Sequence, residues 1–352
     1  MAVINLELFG SSHGDYVGAT LSGLPSGLPV NREVINSLLK RRAPGGYPWT
    51  TARIEDDLPE EVSGIDNDRT TGEVVEVLIR NRDVRRGEHD GARFPRPGHA
   101  DFAAVMKYGA QAELSGGGRF SARLTAPLCF CGGLLAGVLL ERGIRIYARA
   151  WSIGGICDRD ISLSAPEEGL LSSVRKKAFP VADSERGEKM IEAILSAKAA
   201  GNSLGGIVQC FVLGLAPGSG GVDTEGLESL ISREVFAIPG VKAVQFGLGF
   251  GLCSLDGAST NDEFYLDEEK KVRTYTNNSG GINGGLANGM PVVFEAGFRP
   301  TPSIALPQRT VDLSLWQDAV IEIAGRHDPC IVPRAVPVVE SATAIALAKV
   351  LL

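Results

Sequence analysis

Ile4-Asn5-Leu6-Glu7-Leu8-Phe9-Gly10-Ser11-Ser12-His13-Gly14-Asp15-Tyr16-Val17-Gly18-Ala19-Thr20-Leu21-Ser22 is the stretch from which the architecture is first read. Residues 3–9 and 17–23 look like strands flanking a glycine-histidine loop. Further along, Val74 to Ile79, Ile144 to Ala150, Gly206 to Leu215, Val241 to Phe246 and Pro291 to Phe298 also read as strands. Asn31 is placed to cap a helix bearing Val34, Ile35, Leu38 and Leu39 on one face, and Asp183 or Ser184 caps another that ends by Gly201. Helices are also expected from Asp101 to Glu113, over Ser121 to Leu140 with interruptions near Pro127 and Gly132-Gly133, and from Thr224 to Phe236. A helical pattern containing Leu315, Val320 and Ile323 precedes Gly325, and Val338 to Leu352 reads as a buried amphipathic helix. Several strand intervals suit hairpins better than regular crossovers, so the expectation is α+β in mixed layers. No linker or short-period repeat divides residues 1–352, which read as a single large domain.

Composition narrows the function. The 352 residues are 44% hydrophobic, enough for a substantial core, and the formal charge is −7. That charge argues against broad nucleic-acid binding while leaving room for a local arginine pocket. Glycine is high at 44 residues, against roughly 7% in average usage, and it clusters in loops. The six cysteines form neither a CxxC pair nor a disulfide-like framework, so they read as free thiols in a reducing compartment. Met1 to Phe9 lacks the basic-then-apolar order of a signal peptide, and the apolar C-terminus is interrupted by Glu340 and Lys349. A cytoplasmic protein without a membrane span is expected.

Three of the four histidines lie in segments rich in glycine, serine and arginine: Gly10 to Gly14, Arg96-Pro97-Gly98-His99-Ala100-Asp101, and Gly325-Arg326-His327-Asp328-Pro329. Histidine titrates near neutrality and is the usual proton carrier. Arginine binds phosphate and carboxylate through a planar fork. His13 fits a proton donor supported by Ser11 or Ser12, and fits a surface turn equally well. Asp101 is placed to orient the His99 ring or to cap a helix. Ser115 to Arg123 resembles a glycine loop opening a helix, with Arg119 and Arg123 four apart on one face as an anion site. The loop Asn278 to Gly285 and the segment Phe298 to Ile304 are a second glycine loop and a second arginine/hydroxyl segment, suited to a phosphorylated cofactor or to ordinary hairpins. The acidic run Glu55 to Glu61 reads as a solvated loop. There is no Walker loop, no Rossmann spacing and no zinc ligand set, and no metal is expected.

Taken together, these segments resemble the chorismate synthase family. The resemblance rests on Gly10 to Gly14, Arg41-Arg42 with Pro44-Gly45, Arg80-Asn81-Arg82-Asp83, Arg96 to Asp101, Lys107-Tyr108-Gly109 and Gly116 to Arg123. It continues through Gly201 to Gly206, Ile238-Pro239, Gly280 to Gly285, Phe298 to Ile304 and Gly325 to Arg334, in order along nearly the whole chain. It implies a sandwich of helices between antiparallel β-sheets and a homotetramer. It also implies a carbon–oxygen lyase of the shikimate pathway, in aromatic amino-acid biosynthesis. Such enzymes convert 5-enolpyruvylshikimate 3-phosphate to chorismate by 1,4-trans elimination of phosphate, with reduced FMN (FMNH2) required and no net redox change.

By the same resemblance His13 is the acid near the departing phosphate, His99 protonates the reduced flavin, and Asp328 is the base serving flavin N5. Ser12, Arg42, Arg53, Arg119, Arg123 and Arg326 fall to the substrate. Ser121, Asn278, Gly284, Gly285, Arg299, Thr301 and Ser303 fall to FMN. No NADPH motif or large insertion is evident, so a monofunctional enzyme with an external flavin reductant is implied. The chain departs from the family pattern at Ala43 and Phe120, near Pro48-Trp49, and at Ala287 and Asn288. Those departures keep open a rival reading, a non-catalytic phospholigand- and flavin-binding homologue.

Overall fold

A computed structural model describes residues 4–83, 91–112, 114, 117–323, 325 and 327–352. One sheet comprises β1 (Asn5–Gly10), β2 (Tyr16–Ser22), β3 (Pro59–Ser63) and β4 (Val75–Arg80), in the order β1-β2-β4-β3. The two strands expected around the glycine-histidine loop form and pair antiparallel, in register from Asn5 opposite Ser22 to Gly10 opposite Val17. A second sheet comprises β5 (Arg145–Ile153), β6 (Ile156–Cys157), β7 (Gly206–Leu213), β8 (Val241–Phe246) and β9 (Val292–Phe298), in the order β8-β9-β7-β5-β6. Every pairing within these two sheets, among the described residues, is antiparallel.

The helices are α1 (Arg32–Arg42), α2 (Asp101–Tyr108), α3 (Thr125–Glu141), α4 (Glu168–Lys176), α5 (Ser184–Ala199), α6 (Leu227–Phe236) and α7 (Val332–Leu351). Helix α3 packs on α1 and α7 and touches β2 and β4, while α7 touches β5 and β7. A helical layer therefore lies between the sheets, the expected α+β sandwich. The caps read from sequence are present: Asn31 accepts from the Glu33 and Val34 N–H groups, and Asp183 from those of Glu185 and Arg186. Both satisfy orphan donors of a first turn.

Ala122–Glu141, which is α3 with the turn before it, has the length and apolarity to cross a membrane, but its most apolar 18-residue window is 83% buried, and burial between two sheets accounts for its composition. Helix α3 runs without the expected interruption. Pro127 sits in the first turn, where its missing N–H breaks no helical hydrogen bond. At Gly132 and Gly133, a Cβ would meet Ser341 of α7 at 2.4 Å and the Ile35 backbone of α1 at 2.8 Å. These glycines set the spacing of three helices rather than breaking one. Inside α7, Glu340 is buried against Arg41 and accepts from the Ala148 N–H at 2.9 Å, which ties α1 and β5 to α7.

Other expectations are corrected. Helix α2 stops at Tyr108, because Gly109 takes φ +56, and Glu113 lies outside the described residues. Residues 227–236 form α6, but Asp223–Glu225 is a separate 3-10 turn. The pattern around Leu315 and Val320 is not helical. Strands β10 (Gln308–Asp312) and β11 (Gln317–Ile321) pair there as a hairpin. Asp312 accepts from the N–H groups of Ser314 and Leu315, which favours a turn over a helix. Leu315 and Val320 are exposed and share no buried face.

Candidate functional site

The loop joining β1 and β2 carries His13. Gly10 is required at its start: φ is +86, and a Cβ there would stand 2.4 Å from the Tyr16 carbonyl. The loop closes on itself through Gly14 N–H to the Ser11 carbonyl and hydroxyl, at 3.2 and 3.1 Å. Ser12 is buried, and its Oγ lies 2.9 Å from His13 Nδ1, so the hydroxyl fixes one edge of the ring. Beside the loop, Asn81 donates to the carbonyls of Ser11 and Gly14 and accepts from Arg123 Nε at 2.8 Å. Arg53 reaches the Ser12 carbonyl at 3.4 Å.

Two arginines expected on substrate are instead sealed into this wall. Arg42 donates to Thr125 Oγ1 at 3.1 Å, to the Ala122 carbonyl at 3.3 Å, and to Asp57. Arg123 donates to Asn81, to the Arg80 carbonyl at 3.1 Å, and to the same Asp57. Each guanidinium is 3% exposed and the Asp57 side chain 0%. Burial works to raise the Asp57 pKa, but Arg42 and Arg123 outweigh it and hold the carboxyl below its ordinary range. Glu55 behaves alike, held low against burial by the Arg82 N–H and by Arg53 and Arg123. The acidic run is therefore no solvated loop at Glu55 and Asp57: both are counter-ions of the arginine cluster. Glu55 and Asp57 are buried while Asp56 between them is exposed, a difference that the plain charge count hid.

Arg119 and Arg123 do not share a helix face. Each sits on its own 3-10 turn, Gly118–Phe120 and Ala122–Leu124, with Arg119 exposed and Arg123 buried. Ser121, expected on the cofactor, accepts from the Arg123 N–H at 3.2 Å and caps the second turn. Arg326 lies outside the described residues.

Asp328 joins this wall from the other side. It accepts from the Thr51 N–H at 2.8 Å and pairs with Arg334, which in turn donates to the Arg42 carbonyl at 3.0 Å. Thr51 Oγ1 accepts from Arg53 N–H at 3.2 Å, so Asp328 and the His13 loop are linked through residues 51–53. Arg334, which the sequence reading left without a role, is pushed down in pKa by burial.

His99 sits against residues 299–303. Its Nε2 lies 2.6 Å from the buried Ser303 Oγ. Asp101 neither caps α2 nor orients the ring. It clamps Arg96 through both oxygens, at 2.7 and 2.8 Å. Burial first, and the Arg96 charge second, lower the His99 pKa to about 4, so the ring is neutral at pH 7. His327 is lowered by the same two causes in the same order.

The residues near His99 leave polar capacity unused. Thr301 Oγ1 is buried with no hydrogen-bond partner, a polar atom that a ligand would satisfy. Close by is an open, largely apolar groove of about 420 Å³ whose lining includes Ile207, Phe298, Lys242 and Arg299, the last two being cations able to meet an anion. Asn278, Gly284 and Gly285 do not join this cluster. Asn278 donates its backbone N–H to Asp262 and its Nδ2 to the Thr260 carbonyl, and Gly284-Gly285 form a tight turn packed on Gly221 and Gly226. Their segment meets the Val292 end of β9, and Arg299 follows the other end, about 20 Å away by strand rise.

A family model described as Chorismate synthase matches residues 4–352. The chorismate synthase of Thermococcus kodakarensis is 44% identical over 99% of this chain and 96% of its own length. That of Aeropyrum pernix is 42% identical, over 99% and 91%, and one from Dehalococcoides mccartyi is 40% identical, over 99% and 95%. A solved structure titled Crystal Structure of Chorismate Synthase superposes with a TM-score of 0.77 at 27% identity, covering 99% of this chain and 91% of its own.

Proposed function

The chain belongs to the chorismate synthase family, a family of lyases, and on that footing we propose that it converts 5-enolpyruvylshikimate 3-phosphate to chorismate and phosphate with reduced FMN. The family match takes up residues 4–352 and leaves no second catalytic unit within this chain. The C3–O bond to phosphate breaks, the C6–H bond breaks, and a new ring double bond forms. The C6 hydrogen is not acidic, and a bound reduced flavin supplies electron density that lowers that barrier.

The carrying observation is the His13 ring, held at Nδ1 by Ser12 in a loop bracketed by Asn81 and bordered by Arg53. With Nδ1 so engaged, Nε2 is the atom from which His13 delivers a proton to the leaving oxygen. Arg53 and the exposed Arg119 pair with substrate anions. Arg42 and Arg123 act from behind, through Asp57 and Asn81. Arg299, Thr301 and Ser303 hold the cofactor, and an anionic cofactor beside His99 raises its depressed pKa so that the ring carries a proton there. Asp328, its carboxylate oriented by Thr51 and Arg334, is the base. A cytoplasmic homotetramer that receives its reduced flavin from a separate reductase completes the proposal.

The test is anaerobic. Purified protein is mixed with substrate and either dithionite-reduced or oxidised FMN, and phosphate is followed. Release with reduced FMN alone supports the proposal. Binding of both ligands without release would favour a non-catalytic homologue instead. Oxidation of NADPH by protein and FMN alone would refute dependence on an external reductant.

A further inference from the structure

Asn81 stands directly after β4, where its own N–H donates to the Asp15 carbonyl at 2.9 Å. Its side chain has two amide protons and two oxygen lone pairs, and all four are engaged. Nδ2 donates to the carbonyls of Ser11, at 3.0 Å, and Gly14, at 2.8 Å, the residues that bracket Ser12 and His13. Oδ1 accepts from Arg123 Nε at 2.8 Å and from Arg53 at 3.5 Å. One side chain thus fixes both ends of the histidine loop and sets that loop's register against the arginines. No other residue type does both: aspartate of the same shape has no proton for the two carbonyls, and alanine reaches nothing.

We propose that Asn81 is a positioning residue for His13, holding the imidazole relative to the arginine wall so that its proton lies on the path to the leaving oxygen. The inference rests on the reading of His13 as the acid. It goes beyond that reading in assigning the geometry to one amide outside the loop. Misplacement of a reacting group by about 1 Å costs up to roughly 10²-fold in rate.

The experiment is a double-mutant cycle on the full-length protein with reduced FMN, using Asn81→Asp, His13→Ala and the double variant. Melting temperature and reduced-FMN affinity are measured for each. Asn81→Asp keeps the acceptor for Arg123 and loses both donors. Its expected kcat is about 10- to 100-fold below wild type. The added carboxylate should also move the alkaline limb of the pH–rate profile upward, because a nearby negative charge stabilises the protonated ring. In the His13→Ala background the same change should cost less than about threefold, since there is no ring left to position.

An undiminished effect of Asn81→Asp in that background would overturn the proposal and leave Asn81 a purely structural residue. So would wild-type kcat in the single variant. A wild-type rate for His13→Ala would refute the acid assignment itself, and is visible before the cycle is closed. Should Asn81→Asp fail to fold, Asn81→Ser, neutral and with one remaining donor, carries the same cycle.

Discussion

Around His13 the polar groups are saturated, and around His99 they are not. Arg42 and Arg123 have an acceptor for each guanidinium nitrogen, Asp57 is shared between them, and Asn81 uses its whole amide. Across the site, Thr301 Oγ1 is buried without a partner, and His99 is neutral because burial and the Arg96 charge outweigh the opposing pull of Asp101. The contrast teaches a division of labour. The first wall is completed by folding, so its geometry is available before any ligand arrives. The second has hydrogen-bonding capacity left over after folding, which a bound ligand could take up.

Removing either histidine should have the largest effect on rate. His13→Ala and His99→Ala are each expected to lower turnover roughly 10²–10⁴-fold, the span of positioned acid–base groups. Steady-state assays with reduced FMN measure this, and near-normal rates in both would end the role assignment. Next in size is Asp57→Ala. It leaves two buried guanidinium groups without their shared counter-ion and should destabilise the protein by about 3–5 kcal/mol. Denaturant unfolding checks this, and a loss under about 1 kcal/mol would mean that the first wall is not built around Asp57.

Arg119→Ala separates the exposed arginine from the buried one. It should raise the substrate KM about tenfold or more, by loss of a charged hydrogen bond, with the melting temperature unchanged. Arg123→Ala should lower the melting temperature first. Identical behaviour of the two would erase the distinction between contact and support.

The pH dependence of stability probes the second wall. In the unfolded chain His99 titrates near 6.5 and in the folded chain at about 4, so the unfolded chain binds more protons between those values. The stability tied to the neutral ring is thus present above about pH 6.5 and is lost as pH falls toward 4. Melts of wild type and His99→Gln at about pH 7 and about pH 4.5 should show the wild type losing more on acidification. Equal losses would contradict the depressed pKa. The smallest effect is expected for Thr301→Val, which should leave the ligand-free protein nearly unchanged and weaken FMN binding by about 1 kcal/mol, the net value of one hydrogen bond. Isothermal titration decides it, and unchanged affinity would detach Thr301 from the cofactor.

Much of the fold was legible because local signals and burial agree. The β1–β2 hairpin, the caps Asn31 and Asp183 and the apolar helix α3 each follow from patterns within a few residues. The glycines of α3 were misread as breaks because the reason for them, contact with Ser341 and Ile35, lies far away in sequence. Leu315 and Val320 imitated a helix by spacing alone, and the competing Asp312 turn prevailed. In the site, His13, His99 and Ser303 were singled out because glycine-flanked histidines and hydroxyls carry chemistry on their face, and the structure pairs His99 with Ser303 and His13 with Ser12. Arg42 and Arg123 were also singled out, and the structure pairs both with Asp57. An arginine's sequence does not say whether the carboxylate it meets is a substrate's or the protein's own Asp57. Asn81 was visible only as part of Arg80-Asn81-Arg82-Asp83, since an amide's worth lies in which four atoms surround it.

A single-turnover experiment joins both walls. Reduced FMN, substrate and excess protein are mixed anaerobically, and phosphate and chorismate are followed together in wild type and His13→Ala. One common rate for the two products, slowed in step by about 10²-fold or more in the variant, is the predicted result. Phosphate without chorismate, or no product despite binding of both ligands, would contradict it.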